Sequence, residues 1–260
     1  MVSHIASAAR HVAARGTPSY RVGMLERYQS GSAGPRILLV HGLSSSADSW
    51  WRVVEALAPH ARVTTIDLRG HGASAPADSY ALRDYASDLP RENWDAVVAH
   101  SLGGAAAVLA ASQPGFARSL VLLDPVLEVP EADFEAVLAD QVSELRLDEA
   151  SVAAEKPHWD ERDRAAKLVG VRSVDPAAVE GSFRDTGRWD VRAEARALRS
   201  PTLLIAGDPA IYTMLDPELG RTLAAENESI DYRVIAGAGH SPHRDKPEET
   251  LAVLTERLLG

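Results

Sequence analysis

The sequence has no cysteine among its 260 residues. A disulfide, a thiolate metal ligand and a cysteine nucleophile are therefore excluded, and covalent chemistry needs another side chain. The chain also lacks the run of roughly 18 uninterrupted apolar residues that a transmembrane helix needs. Residues 1–16 contain no continuous apolar core of the signal-peptide type. We therefore expect a cytoplasmic protein with no membrane partner.

Positive charge is scarce: 27 Lys and Arg stand against 37 Asp and Glu, which gives a formal net charge of −10. A nucleic-acid partner would require clustered basic side chains, so none is expected. Apolar residues make up 45% of the chain and charged residues 25%, as in soluble globular proteins. This composition excludes low-complexity disorder, and a chain of this length can bury one large core.

Short strand-like runs alternate with longer helical patterns along the chain, which predicts an α/β sheet protein. Most of these runs are continuously apolar, as expected of strands buried on both faces. The predicted strands lie at residues 20–28, 37–40, 63–66, 96–99, 120–123, 202–205 and 231–235. Helices are predicted at residues 48–57, 103–112 and 247–259.

One long segment, residues 129–198, interrupts this alternation. It contains no convincing buried strand and is charged and mostly helical in pattern, for example over residues 131–147. Such a length is too great for a simple crossover between strands. We therefore predict a helical cap inserted over a ligand site, with residues 1–128 and 199–260 forming the core.

Ser101 is the strongest candidate for covalent chemistry. It directly follows a predicted strand and directly precedes a helical run, with the small residues Ala99 and Gly103 two positions away on either side. A serine on such a sharp turn has a strained backbone and a hydroxyl held clear of the sheet. The helix N-terminus after it favours negative charge. A serine N-cap is the alternative interpretation, but the small flanking residues favour a nucleophile.

A serine nucleophile needs a base and, behind the base, a carboxylate. His240 is the best base, because two glycines precede it in the loop after the last predicted strand. Two carboxylates end strands, Asp124 and Asp208, and either could reach the edge of the sheet at which open α/β sheets bind ligands. From the residues alone the choice between them stays open.

Acyl transfer also needs two hydrogen-bond donors for the developing oxyanion. The backbone amide of Leu102 can supply one, and that of Leu43 the other, since Gly42 permits the necessary backbone path. No cluster of histidines and carboxylates has the spacing of metal ligands, so neither a metal nor another cofactor is expected. Three tryptophans are candidate substrate contacts, although each could equally pack into the protein: Trp50, Trp51 and Trp159.

Five short segments together resemble the α/β-hydrolase superfamily, and the resemblance covers residues 20–259. They are LVHGL at 39–43, DLRGHGAS at 67–74, AHSLGG at 99–104, PTLLIAG at 201–207 and GAGHSP at 237–242. The resemblance implies a mostly parallel, eight-stranded α/β sheet flanked by helices. It also implies a helical cap inserted after the sixth strand, which agrees with the segment at 129–198.

The acid departs from the commonest pattern of the superfamily, which is Gly-x-x-Asp after the seventh strand. Counting from Gly207, that position holds Ala210, and Asp208 comes two residues early. A minority of the superfamily has its acid directly after the sixth strand, and Asp124 matches that place. We therefore predict Asp124 as the acid, with Asp208 as the alternative.

The resulting prediction is a Ser–His–Asp hydrolase that cleaves an ester or lactone of a small, largely apolar molecule through an acyl-enzyme on Ser101. One alternative is a carbon–carbon bond hydrolase of the same fold. Another is a cofactor-free lyase, cyclase or oxygenase, for which His240 and its acid matter more than Ser101. A ligand receptor that keeps the pocket without turnover is a third. The sequence predicts no oligomeric state.

Overall fold

A single twisted sheet forms the scaffold of the protein. The computed structural model describes residues 25–260, and seven strands in this range form the sheet. The strand order is β1-β3-β2-β4-β5-β6-β7, and every neighbouring pair is parallel except the antiparallel pair β1 and β3. The strands are β1 (Arg27–Ser30), β2 (Arg36–Val40), β3 (Arg62–Ile66), β4 (Ala96–His100), β5 (Leu120–Leu123), β6 (Thr202–Ala206) and β7 (Ile230–Val234).

Helices cover both faces of this sheet, because alternate residues of each central strand point to opposite sides. In β2, Ile37 and Leu39 pack with the helices at residues 51–57 and 247–259, whereas Leu38 and Val40 pack with those at 82–88 and 101–111. All four side chains are fully buried, which explains the uninterrupted apolar run in the sequence. The helices outside residues 124–201 are α1 (Trp51–Leu57), α2 (Leu82–Asp88), α3 (Ser101–Ala111), α9 (Pro217–Glu226), α10 (Pro242–Asp245) and α11 (Pro247–Leu259).

Five further helices lie between β5 and β6, within the segment for which the sequence predicts a cap. They are α4 (Phe134–Glu144), α5 (Glu149–Glu155), α6 (Glu161–Ser173), α7 (Pro176–Arg184) and α8 (Arg192–Arg196). One isolated antiparallel bridge joins Glu128, directly before the segment, to Asp190, between α7 and α8. The segment is therefore helical as predicted, while its division from the core as a separate domain stays a prediction.

The described residues, 25–260, contain seven of the eight strands that the resemblance implies, and the inserted helices follow the fifth of these seven. The sequence itself contains seven strand-like runs, and the eighth strand came from the family resemblance alone. The first part of the predicted strand at 20–28 lies outside the described residues, and β1 begins at Arg27. No helix in the described range has the length and apolar character that a membrane span requires.

Two buried histidines beneath the sheet edge are held in their neutral form. His41 has no exposed surface; its Nδ1–H donates to the Gly42 carbonyl (2.7 Å), and its Nε2 accepts from the Leu68 amide (3.0 Å). Burial lowers the pKa of His41 to about 4, although the bond to Gly42 opposes the shift. Burial likewise lowers the pKa of neighbouring His71 to about 3. A proton on Nε2 of His41 would point at the N–H of Leu68, so two hydrogen-bond donors would face each other.

This arrangement predicts a loss of stability in mild acid. In the unfolded chain His41 takes up a proton as the pH falls below 6.5, whereas in the folded chain it does so only near its lowered pKa of about 4. Between these values the unfolded state binds more protons than the folded state, so the free energy of unfolding falls as the pH falls. His41 alone should account for about 2 kcal/mol between pH 7 and pH 5. Urea unfolding at both pH values should show a smaller drop in His41→Gln than in the wild type. His60→Gln, at an exposed position, is the control and should show the wild-type fall in the free energy of unfolding. A fall in His41→Gln as large as that of the wild type would contradict the account.

Candidate active site

Ser101 lies at a sharp junction between strand and helix. β4 ends at His100 and α3 begins at Ser101, with no intervening loop. Ser101 has a φ of 55°, in the left-handed region that non-glycine residues seldom occupy. The strained turn expected from the sequence is therefore present, and it brings the hydroxyl to the carboxyl edge of the sheet.

Two glycines allow the neighbouring backbone to approach Ser101 closely. A Cβ on Gly103 would lie 2.3 Å from the carbonyl oxygen of His41, and a Cβ on Gly42 would lie 2.8 Å from the Cβ of Ser101. Real Cβ atoms do not reach such distances, so both positions require glycine unless the backbone moves. The close contact made by Gly103 is with the end of β2, which sets the loop carrying Leu43 beside Ser101.

A continuous chain of hydrogen bonds joins Ser101, His240 and Asp124. The Oγ of Ser101 lies 3.0 Å from Nε2 of His240, and Nδ1 of His240 lies 2.6 Å from Oδ2 of Asp124. An ionised carboxylate only accepts, so Nδ1–H donates to Asp124 and Nε2 of the neutral ring accepts from the serine hydroxyl. The three side chains come from the ends of β4 and β5 and from the loop after β7, and they meet with the geometry that removes a proton from a serine.

Asp124 is held in place by a set of donors from the loop after β6. It directly follows β5, has no exposed surface and has a φ of 41°. Its carboxylate accepts from the Thr213 hydroxyl (2.5 Å) and from the amides of Met214 (2.8 Å) and Leu215 (3.2 Å). Burial raises the pKa of this carboxyl, but the hydrogen bonds from His240, Thr213 and Met214 outweigh it, so the pKa lies below its usual value. Asp124 is therefore ionised at neutral pH.

Asp208, the alternative acid, shapes a loop instead. Its two carboxylate oxygens accept from the amides of Gly237 (2.8 Å) and Ala210 (2.9 Å). These backbone hydrogen bonds hold the pKa of Asp208 below its usual value as well. The structure thus brings Asp124, and not Asp208, into contact with His240.

His100 supports the backbone of the loop that carries His240. Its Nε2–H donates to the backbone carbonyl of His240 (2.8 Å), and the two rings lie 4.8 Å apart. The ring of His243 lies 5.0 Å from that of His100 on another side. Burial, together with neighbouring His240, lowers the pKa of His100 well below its usual value, so it stays neutral. No pattern in the sequence predicts this hydrogen bond between His100 and the His240 backbone, because 140 residues separate the two.

Ser101 and His240 open into a cavity that the inserted helices cover. Leu43 and Leu102 also line it. Leu102 is the second residue of α3, and amides in the first turn of a helix lack an intrahelical acceptor. No acceptor in residues 25–260 takes the N–H of Leu43. The apolar part of the wall includes Val126, Val129, Val137, Val152, Phe183 and Trp189.

Of the three predicted tryptophan contacts, only Trp159 lies at the cavity; the other two need a correction. Trp50 has no exposed surface and stacks on His243 with ring centroids 4.8 Å apart. Trp51 donates from Nε1 to Asp163 of α6 (2.8 Å). The chain after Leu43 coils into a short 3-10 helix, Ala47–Trp50, and then α1, which turns Trp50 into the core and Trp51 toward α6.

Arg244 is a cavity residue that sequence reasoning missed. Its side chain is only 4% exposed, and its Nε and Nη2 have no hydrogen-bond partner within the described part of the chain. Leaving buried donors unpaired costs about 1–3 kcal/mol for each group, and more for charged groups. Its guanidinium lies 5.0 Å from the ring centre of Trp159. In the sequence, the one indication that Arg244 lies near the site is its position four residues after His240. Its burial could not be predicted, because a helix as short as α10 shows no hydrophobic periodicity.

Residues 25–260 contain no group of three or more histidines and carboxylates that could hold a metal ion.

Comparison with known proteins identifies the family. Residues 37–253 match the model of the Alpha/beta hydrolase family. The chain belongs to this family. Among curated relatives, the 2-succinyl-6-hydroxy-2,4-cyclohexadiene-1-carboxylate synthases of Escherichia fergusonii and Escherichia coli are each 29% identical to it, over 245 and 246 residues. Each alignment covers 86% of this chain and 94% of the relative.

Solved structures of other α/β-hydrolases share the fold. An E-2-(acetamidomethylene)succinate hydrolase superimposes with a TM-score of 0.75 at 24% identity, covering 89% of this chain and 94% of the other. An enol-lactonase from Burkholderia xenovorans LB400 gives a TM-score of 0.71 at 21% identity, covering 91% and 97%. At these identities the likeness concerns the fold, and the predicted fold class is confirmed.

Proposed function

We propose that this α/β-hydrolase family member is a serine hydrolase that cleaves a carboxylic ester or lactone through an acyl-enzyme on Ser101. The observation that carries the proposal is the hydrogen-bond chain from Ser101 Oγ through His240 to Asp124, with distances of 3.0 Å and 2.6 Å. These distances lie within the reach required for proton transfer from a nucleophile to its base.

The reaction has two halves. In the first, Ser101 Oγ attacks the carbonyl carbon while Nε2 of His240 takes the hydroxyl proton, and the amides of Leu43 and Leu102 stabilise the oxyanion. The carbon–oxygen bond of the ester then breaks as His240 returns the proton to the departing oxygen. In the second half, water attacks the acyl carbon and gives a proton to Nε2 of His240; the bond to Oγ then breaks, His240 returns the proton to Oγ, and the acid is released. Asp124 orients His240 and stabilises its cation throughout.

The cavity supports a small substrate with an apolar part. Val129, Val152 and Phe183 contribute apolar surface to the cavity that Ser101 and His240 also line. Such a wall excludes water from the reacting centre, which strengthens the hydrogen bonds to the developing oxyanion. The ester group would therefore lie at Ser101 and the apolar part of the substrate beneath the inserted helices.

Turnover of a panel of short p-nitrophenyl esters and small lactones tests the proposal. The wild-type enzyme should hydrolyse members of the panel, and Ser101→Ala should not. If the wild type binds but turns over no member of the panel, the cavity acts as a receptor or on another bond, and the proposal fails.

A cofactor-free lyase or synthase is the second candidate, since the curated relatives named above are synthases. In that chemistry His240 and Asp124 remove a proton from carbon, and the serine need not form an ester. Ser101→Ala and His240→Ala separate the two candidates on the natural substrate. Loss of turnover in both variants supports the hydrolase, whereas loss in His240→Ala alone favours proton abstraction.

A further inference from the structure

Arg244 is a buried cation at the cavity whose charge is left unpaired by the other residues in the range 25–260. It lies on α10, four residues after His240, and lines the same cavity as Ser101. Its side chain is 4% exposed, and Nε and Nη2 find no acceptor among residues 25–260. Buried arginines are almost always paired, so this one requires an explanation.

The nearby carboxylates already have other partners. Asp163 accepts from Trp51 Nε1 (2.8 Å) and Arg52 Nη2 (2.9 Å). Asp245 accepts from Trp159 Nε1 (2.6 Å), and Glu144 pairs with Lys167 (2.6 Å). Neighbouring acids therefore make it less costly to bury Arg244, but none of them forms an ion pair with it.

The side chain of Arg244 is also held in a defined place. Its guanidinium lies 5.0 Å from the ring centre of Trp159, and Trp159 is fixed in turn by its hydrogen bond to Asp245. Contact with an aromatic ring leaves the N–H groups of a guanidinium available in its plane, where they match the two oxygens of a carboxylate. A fixed, desolvated arginine of this kind is suited to recognising an anion.

We propose that the cavity binds a substrate that carries a carboxylate in addition to its scissile ester or lactone, and that the guanidinium of Arg244 accepts this carboxylate as its ion-pair partner. A carboxylate fits better than a phosphate, because Asp140, Glu144 and Glu155 also line the cavity and would repel a doubly charged group. The inference rests on the proposed function for the place of the ester beside Ser101, and it adds the chemical class of the substrate.

The binding test uses Ser101→Ala, so that nothing is cleaved and failure of the proposed hydrolysis does not affect the result. The probes are monobenzyl fumarate and benzyl crotonate, which share one rigid shape and differ by a carboxylate in place of a methyl group. Calorimetric titration should show that Ser101→Ala binds the fumarate at least about tenfold more tightly. Adding Arg244→Gln should reduce this ratio to about one, and adding Arg244→Lys should preserve part of it.

Lys156 provides the matched control, because its ammonium group also lines the cavity and lies 5.6 Å from the ring centre of Trp159. Adding Lys156→Gln should leave the ratio within about twofold, as expected of a cation that does not pair with the ligand. Equal affinity for the two probes, no binding of the fumarate, or a preference that survives Arg244→Gln would overturn the proposal. A preference lost with Lys156 and kept without Arg244 would overturn it as well. Should Arg244→Gln fail to fold by circular dichroism, Arg244→Lys alone decides: an undiminished ratio overturns the proposal.

Discussion

Replacing Ser101 with alanine is expected to lower kcat/KM for ester hydrolysis by about 10⁴- to 10⁶-fold, the range seen when the nucleophile of a serine hydrolase is removed. Without Oγ no acyl-enzyme forms, and His240 has no hydroxyl to deprotonate. The residual rate would come from the oxyanion donors and from binding alone. Initial rates on the best p-nitrophenyl ester of the panel measure the loss.

The fold should tolerate this change. Within residues 25–260 the hydroxyl of Ser101 makes one hydrogen bond, to Nε2 of His240. Alanine fills nearly the same volume and loses only this hydrogen bond, so the urea unfolding midpoint should stay close to that of the wild type. Ser112→Ala, at the opposite end of α3, removes a hydroxyl that bonds only to the Leu109 carbonyl, and its rate should match the wild type within about twofold. A Ser101→Ala variant with more than a tenth of wild-type turnover would contradict the serine mechanism.

Asp124→Asn is expected to lower kcat by about 10⁴-fold, because an amide no longer holds the imidazole in the tautomer that accepts the serine proton. Asp208→Asn should remain within a few fold of the wild type, since Asp208 bonds to loop amides and not to His240. The two substitutions are chemically identical, so each serves as the control for the other. Rates on one ester, at one pH, give the comparison.

Stability must be measured beside these rates, because the buried carboxylate of Asp124 accepts from Thr213, Met214 and Leu215. An amide can turn its oxygen toward some of these donors but sets its own N–H groups against the others, which lowers the free energy of unfolding by about 1–3 kcal/mol. Rates are therefore compared at a temperature at which both variants are folded. Collapse of turnover in Asp208→Asn, with turnover retained in Asp124→Asn, would show that the acid is misassigned.

The central strands could be predicted because they are buried on both faces. The run at residues 120–123 is strand β5 in the structure, and the run at 96–99 is β4 with His100 added. The turn at Ser101 was equally predictable, since it needs small neighbours and has them. The eighth strand was predicted from resemblance without a run of residues behind it, and the described part of the chain does not contain it.

Side-chain direction was harder to predict than the elements themselves. Trp50 and Trp51 come shortly after Leu43 in sequence, but they lie on helical turns whose orientation depends on what packs against them. Thr213 bonds to Asp124 across 89 residues, and no local pattern shows such a contact. The burial of Arg244 depends on helices of the inserted segment covering the cavity, which again is a tertiary effect. Local sequence patterns do not reveal such long-range contacts.

Labelling with a fluorophosphonate, followed by peptide mapping, tests the central claim most directly. These reagents phosphonylate a serine only when a neighbouring base activates it. The account predicts one adduct per chain, on Ser101, that forms on the folded protein, is absent from Ser101→Ala and forms far more slowly in Asp124→Asn. A folded wild-type protein that forms no adduct, or forms it on another residue, would contradict the account.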